Sequence, residues 1–204
     1  MKTAIVTAYN DRYSPVGDVT SQVAHAYAMY HGHDFICWKN DWLSEGRPPA
    51  WGKVRAIQQA LETHDWVFWI DADAMFLDLK YDIRELIDEK YSIILAAEPL
   101  PEGLTINTGV AWYKKHHTTN FLLKKTWDQE DCINHSWWEQ GAMISVLRQY
   151  ECYNDLVKKL PTEPINVHPS KLTPNSKIVH IAGGSGNPEH KGRIMNSLLD
   201  GIMK

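Results

Sequence analysis

Asp71 and Asp73, separated only by Ala72, close the apolar run WVFWI at 66–70. In an extended segment residues i and i+2 share one side, so two carboxylates at this spacing would face one point. A pair of hard oxygen donors there suits Mg²⁺ or Mn²⁺. An isolated Asp-x-Asp is most often a solvated turn or a helix cap. Here a strand with two tryptophans fixes the pair at a buried end, where two unpaired charges are costly and a cation offsets the cost. The chemistry this predicts is cation binding.

Such a pair needs a frame. KTAIVTAY (2–9) reads as a buried strand, DRYSPVGD as a polar loop around Pro15 and Gly17, and 19–31 as a helix. DFICWK (34–39) is a second strand, with a loop through Gly46, Pro48 and Pro49 after it. Trp51, Val54, Ile57, Ala60 and Leu61 form one apolar face of a helix over 51–64, with Lys53 and Arg55 on its flanks. WVFWID is a strand, 82–90 a short helix, SIILAAE (92–98) a strand, and NTGVAWYK (107–114) a strand opening in a turn. Helices follow over 118–128 and 138–150, then INVHPS and KIVHIAG as short strands, the loop GGSGNP, and a helix from Glu189. Strands alternating with helices predict an α/β fold with a mainly parallel, doubly wound sheet whose later strands enter antiparallel. No repeat or linker interrupts it, so residues 1–204 read as a single domain. In such a sheet ligands bind beyond the carboxyl ends of the strands, which is where Asp71 and Asp73 fall.

A net charge of −4 without a long basic run supplies no phosphate-tracking surface and excludes nucleic acid as a partner. No stretch reaches membrane-spanning length, and the apolar start of the chain is too short for a signal-peptide core. Three cysteines, Cys37, Cys132 and Cys152, have no metal-type spacing and read as free thiols. The expectation is a soluble, cytoplasmic protein. Nine tryptophans are more than a core of this size needs, and surplus indoles often line sites for sugars or flat ligands.

An apolar strand ending in Asp-x-Asp, preceded by WGKVRAIQQAL and followed by AMFLD, resembles the nucleotide-sugar site of GT-A glycosyltransferases. It is most similar to glycosyltransferase family 34, the galactosyl/xylosyl/mannosyl-transferase group. INTGVAWYKK, WWEQGAMISVL and KIVHIAGG match in the expected order, and AIVTAYNDR sits where that fold grips a nucleotide base. The resemblance implies a GT-A (Rossmann-like) domain, a nucleotide sugar with UDP as its nucleotide, a glycan or other hydroxyl acceptor, a divalent cation, and retention of the donor's anomeric configuration. Without anchor or leader, it further implies a viral or bacterial cytosolic enzyme or an excised catalytic domain.

Carried over by position, Asp73 coordinates the metal, Asp71 contacts ribose, metal or both, and His180 is the third protein ligand. His180 read alone is a core histidine between Val179 and Ile181. The glycines that follow, Gly183 and Gly184, would let a backbone approach a diphosphate closely. One imidazole with carboxylates and phosphates favours Mn²⁺, with Mg²⁺ next. Thr7, Ala8, Tyr9, Asp11 and Arg12 match the uridine-side loop, with Tyr9 stacking on the base. Lys53, Ala72 and Asn107 fall on the donor site, and Asn107 with Thr108 and Gly109 shapes the acceptor side. Related sequences carry a lysine in the glycine loop, but this chain has Ser185 there, which makes Lys191 the expected cation for the diphosphate. Glu139 and Gln140 match the pair presented to the reacting face of the donor sugar. Gln140 would polarise the charge that develops, or Glu139 would attack as nucleophile. Trp112, Trp137 and Trp138 are candidates for sugar stacking.

Two other readings compete. A haloacid dehalogenase-type phosphatase also ends a strand in Asp-x-Asp, with Asp71 as nucleophile, but has its motif near the N-terminus and a Thr or Val where this chain has Met75. A non-catalytic sugar-binding module would account for the tryptophans and leave the ordered metal pattern without a purpose.

Overall fold

The computed structural model describes residues 1–40, 42–100, 103–183 and 187–202. The chain runs β1 (Thr3–Ala8), α1 (Ser14–His31), β2 (Asp34–Trp38), α2 (Gly52–Leu61), β3 (Trp66–Ile70), β4 (Ala74–Phe76), β5 (Ile93–Leu100), β6 (Gly103–Lys114), α3 (His117–Trp127), α4 (Trp138–Gln149), β7 (Val157–Leu160), β8 (Ile178–His180) and α5 (Pro188–Ile202). Six strands form one sheet in the order β2-β1-β3-β6-β5-β7, and β4 pairs with β8 in a separate antiparallel ribbon. β1 is parallel to both β2 and β3, β5 is parallel to β7, and β6 enters antiparallel between β3 and β5. This is the mixed, mostly parallel α/β sheet expected.

Both faces of the sheet are covered, so its strands are apolar almost without alternation. Val67, Trp69, Ala111 and Tyr113 join a core with α2, α3 and α4. Trp66, Phe68, Ile70, Val110 and Trp112 join a second core with α1, the β4–β8 ribbon and Met195 of α5. Trp112 is 1% exposed, which corrects its reading as a sugar-stacking residue.

Several local expectations give way. α1 begins at Ser14, inside the stretch read as a loop, because Pro15 sits in the first turn, where a helix has no use for the missing N–H. It stops at Gly32 at φ 72°, a left-handed C-cap. Residues 82–90 form one 3₁₀ turn, Ile83–Leu86, capped by the Asp82 carboxylate. INVHPS makes only an isolated bridge, Val167 to Val179. The edge strand β7 was not anticipated, and β6 begins four residues before the expected turn.

His33 carries a pH consequence. It is 6% exposed, its Nδ1 lies 2.7 Å from Thr3 Oγ1, and its Nε2 is buried without a partner. Burial, with Arg84 adding to it, pushes its pKa down from 6.5 to about 4. The unfolded chain therefore takes up this proton first, and stability falls as pH drops from about 6.5 toward 4, by about 2 kcal/mol from this group. Thermal melts across that range should show the loss, and His33→Gln should flatten it.

Candidate active site

The Asp-x-Asp pair does not lie in an extended segment. Ala74 N–H donates to Asp71 C=O at 2.9 Å, closing a tight turn between β3 and β4. The turn, not strand periodicity, brings the carboxylates together. Asp71 N–H is tied to Gly109 C=O at 2.7 Å, and Trp69 Nε1 donates to Asp71 Oδ1 at 2.6 Å. Thr20 of α1 donates to Ala72 C=O at 2.7 Å, pinning the turn from the other side.

β4 pairs with β8 in a register that sets Ala74 opposite His180. His180 Nε2 then lies 3.3 Å from Asp73 Oδ1 and 3.8 Å from Asp71 Oδ2. Its Nδ1 lies 2.6 Å from Asn166 Oδ1, an amide oxygen that can only accept, so Nδ1 carries the hydrogen. Nε2 is then the ring atom turned toward both carboxylates. Ligand atoms of Asp71, Asp73 and His180 all fall within 4.8 Å of one another. Three electron-pair donors held this close, with the outer imidazole nitrogen fixed by an amide, fit a divalent cation.

Lys191 of α5 closes the far side. Its ammonium donates to Asp73 Oδ2 at 2.6 Å, Gly183 C=O at 2.8 Å and Ile181 C=O at 2.9 Å, and lies 3.2 Å from the Tyr13 hydroxyl. Burial pushes the Asp73 carboxyl up, but His180 and Lys191 outweigh it and hold it well below the ordinary carboxylate range. Burial likewise works against the Lys191 charge, and Asp73 restores it. Lys191 is 1% exposed, and its ammonium serves Asp73 here. Gly183 has φ 102°, a conformation that suits glycine. Gly184 and Ser185 lie outside the described residues.

A second buried ammonium joins this cluster to α4. Lys53 Nζ is 3.0 Å from Asp71 Oδ1, 2.9 Å from Glu139 Oε1 and 3.2 Å from Thr108 Oγ1. Burial opposes its charge, yet Asp71 and Glu139 hold its pKa above that of a free lysine. Thr108 Oγ1 donates to Glu139 Oε1 at 3.1 Å, and Thr108 N–H donates to Gln140 Oε1 at 3.2 Å. Thr108 is available because β6 is irregular here. Leu95 pairs with Ala111, but Ala96 pairs with Asn107, so Thr108, Gly109 and Val110 have no counterparts on β5. Asn107 is oriented by Glu98 at 2.8 Å and accepts from Gly109 N–H at 2.8 Å.

At Gly109 a side chain has no room. An added Cβ would meet His180 Cε1 and lie 2.7 Å from Asp71 Oδ2. Gly109→Ala is therefore expected to keep the sheet but push His180 and Asp71 apart, weakening Mn²⁺ binding by at least about tenfold. Circular dichroism and calorimetry on the same sample check both halves of that expectation.

Other predicted residues occupy the same edge in different ways. Thr7 and Ala8 end β1 beside the end of β3, with Thr7 buried and Ala8 half-buried. Asp11 and Arg12 are exposed on the turn whose third residue, Tyr13, donates to Asp73 Oδ2 at 3.3 Å. The Tyr9 ring packs against Gly17, its hydroxyl bonds Asp18 and Ser21, and the Lys39 ammonium lies 5.2 Å from its centroid. With 6% of it exposed, Tyr9 is a packing residue under α1 and offers no open face to a base. Sequence reasoning missed Asn166, Tyr13 and Thr20. Their partners are 14, 60 and 52 residues away, and no local pattern marks them.

A family model described as the galactosyl transferase GMA12/MNN10 family matches residues 8–171. Galactomannan galactosyltransferase 1 from Cyamopsis tetragonoloba is 26% identical over 125 residues, covering 60% of this chain and 22% of that one. The chain spans 12 to 22% of the length of the curated relatives it matches. Among solved structures, a glycosyltransferase involved in glycosylation of the major capsid of PBCV-1 superimposes with a TM-score of 0.77 at 17% identity, over 96% of this chain and 100% of that chain. A variant of Drosophila β1,4-galactosyltransferase 7 in complex with manganese, UDP-Gal and xylobiose gives a TM-score of 0.53 at 13% identity, over 90% of this chain and 72% of that chain. At these identities the structural likeness is one of fold, the GT-A fold. The described residues include no helix long and apolar enough to cross a membrane.

Proposed function

Since the chain belongs to the galactosyl transferase GMA12/MNN10 family of glycosyltransferases, we propose that it transfers a sugar, with retention, from a uridine diphosphate donor to a glycan hydroxyl with the help of a divalent cation. The observation that carries this reading is the convergence of Asp71, Asp73 and His180 at the carboxyl end of β3. It is joined through one lysine ammonium to Glu139, beside Gln140. A galactosyltransferase of this fold with manganese and UDP-Gal bound supports the choice of cation and nucleotide. The phosphatase and binding-module readings have no such support.

A Mn²⁺ or Mg²⁺ ion held by Asp71, Asp73 and His180 would supply the positive charge that a departing diphosphate requires. The chain's own residues prepare the rest. Thr7, Ala8, Asp11, Arg12 and Ala72 border the nucleotide, and Asn107 and Gly183 border the sugar and phosphates. Glu139 is 5% exposed and its Oε1 is held by Lys53 and Thr108, so it is poorly placed to attack a sugar carbon. Gln140 is half-buried, and its Oε1 uses one lone pair on Thr108 N–H. The second is left for positive charge developing on the sugar ring. This favours attack by the acceptor on the face from which the diphosphate leaves, with Glu139 and Lys53 as positioning residues.

The test is a panel of nucleoside diphosphate sugars incubated with the protein and Mn²⁺, reading donor hydrolysis and the anomer first released by NMR. Turnover of a uridine diphosphate sugar with retained configuration is expected. Absence of metal-dependent uridine diphosphate binding would remove the proposal, and an inverted product would remove its stereochemistry.

A further inference from the structure

Most of the tryptophans are buried or half-buried, but Trp137 and Trp138 are 40% and 39% exposed. They immediately precede Glu139 and Gln140, the residues of α4 that reach into the active-site cluster. Trp138 also has φ 43°, left-handed backbone that a bulky residue adopts only under constraint, and such strain collects at functional sites.

The pair is held firmly. His135 C=O accepts from Trp138 N–H at 2.9 Å, and Trp137 N–H donates to His135 Nδ1 at 3.1 Å. The His135 and Trp137 rings meet edge-on with centroids 5.8 Å apart. His135 itself packs where Gly141 has no Cβ, and Gly141 N–H returns a bond to Trp137 C=O at 3.2 Å. Two exposed indoles thus stand directly before Glu139 and Gln140 on a tied backbone, with the Trp137 ring braced by His135.

Building on the proposed transferase reading, we infer that Trp137 and Trp138 form the acceptor platform, and that its occupant is a neutral pyranose of a glycan laid with its C–H face on the indoles. A pyranose offers an apolar ring face with hydroxyls at its edge, which matches an indole beside polar residues. The surroundings discriminate further. Glu130 and Asp131 are exposed on the segment leading into the platform and disfavour a phosphorylated acceptor or an anionic lipid surface.

The test uses the full chain with Mn²⁺ and UDP, probed by saturation-transfer NMR with methyl β-galactoside, methyl β-xyloside, methyl α-mannoside and cellobiose. At least one sugar should receive saturation chiefly on the protons of one ring face. Its affinity should fall by about tenfold in Trp137→Ala and in Trp138→Ala. Calorimetric binding of UDP with Mn²⁺ should stay unchanged in both. Trp138→Gly, which relieves the left-handed backbone while removing the ring, should lose sugar binding as Trp138→Ala does and so separates stacking from strain. The inference is overturned if no probe binds, if the variants bind the probes as well as the parent, or if they lose UDP and sugar affinity together. A parent protein that fails to bind UDP with Mn²⁺ sinks the transferase reading instead, and the sugar titrations repeated without nucleotide still decide the platform.

Discussion

Replacing Asp73 is expected to abolish Mn²⁺-supported binding of uridine diphosphate, and the choice of replacement decides what else is lost. One carboxylate oxygen faces His180 and the other holds the buried Lys191 ammonium at 2.6 Å. Alanine removes a metal ligand and also leaves that ammonium with carbonyl and hydroxyl partners alone. A buried charge stripped of its counter-ion costs roughly 3–5 kcal/mol, so Asp73→Ala should melt well below the parent. Asparagine keeps a neutral oxygen for Lys191 while giving up the charge that draws a divalent cation. Asp73→Asn should therefore be destabilised less than Asp73→Ala, because the hydrogen bond survives while the counter-charge does not, and should still lose metal-dependent binding, by at least about a hundredfold. Calorimetry with Mn²⁺ and UDP on a folded Asp73→Asn sample is the decisive measurement. Unchanged affinity there would end the assignment of Asp73 as a ligand.

The second large effect separates Gln140 from Glu139. If Gln140 acts on charge that appears only as the diphosphate leaves, Gln140→Ala should lower kcat by about 10- to 1,000-fold with little change in donor affinity. Glu139→Ala should behave differently. Lys53 keeps Asp71 at 3.0 Å but loses Glu139 and the order that Thr108 shares with it. Stability and donor affinity should fall together, and added azide should not restore turnover if Glu139 positions Lys53 and is not a nucleophile. Trapping of an azido-sugar by Glu139→Ala would overturn this and make Glu139 the nucleophile.

Much of this arrangement was legible along the chain. The unbroken apolar run at 66–70 announced a strand buried on both faces, and its abrupt stop announced Asp71 and Asp73. What local patterning misjudged was how the two aspartates meet, since a turn of four residues can gather side chains that strand alternation would also align. β7 stayed hidden because Lys158 and Lys159 occupy an edge strand, where one face and one rim remain open to water. α1 was shortened by treating Pro15 and Gly17 as breakers, although proline is welcome in a first helical turn and Gly17 is needed beneath the Tyr9 ring. Asn166 and Tyr13 lay beyond reach, since their value exists only once β8 and α5 have folded back onto the Asp71–Ala74 turn. Lys191 stands out along the chain by its charge alone, and only the fold shows that this charge meets Asp73.

The tie between Lys191 and Asp73 also sets an order of events in time. The two residues are 118 positions apart, and Gly192 lets α5 lie directly on the backbone of Pro15 in α1. At ordinary rates of synthesis of about 5–20 residues per second, Asp73 precedes Lys191 by on the order of 10 s. Throughout that interval the sheet strands up to β6 can pair, but the Asp73 carboxylate has no internal cation and must remain hydrated. A nascent chain released before residue 191 should accordingly hold a formed sheet with an exposed aspartate, which is covered only as α5 docks on α1.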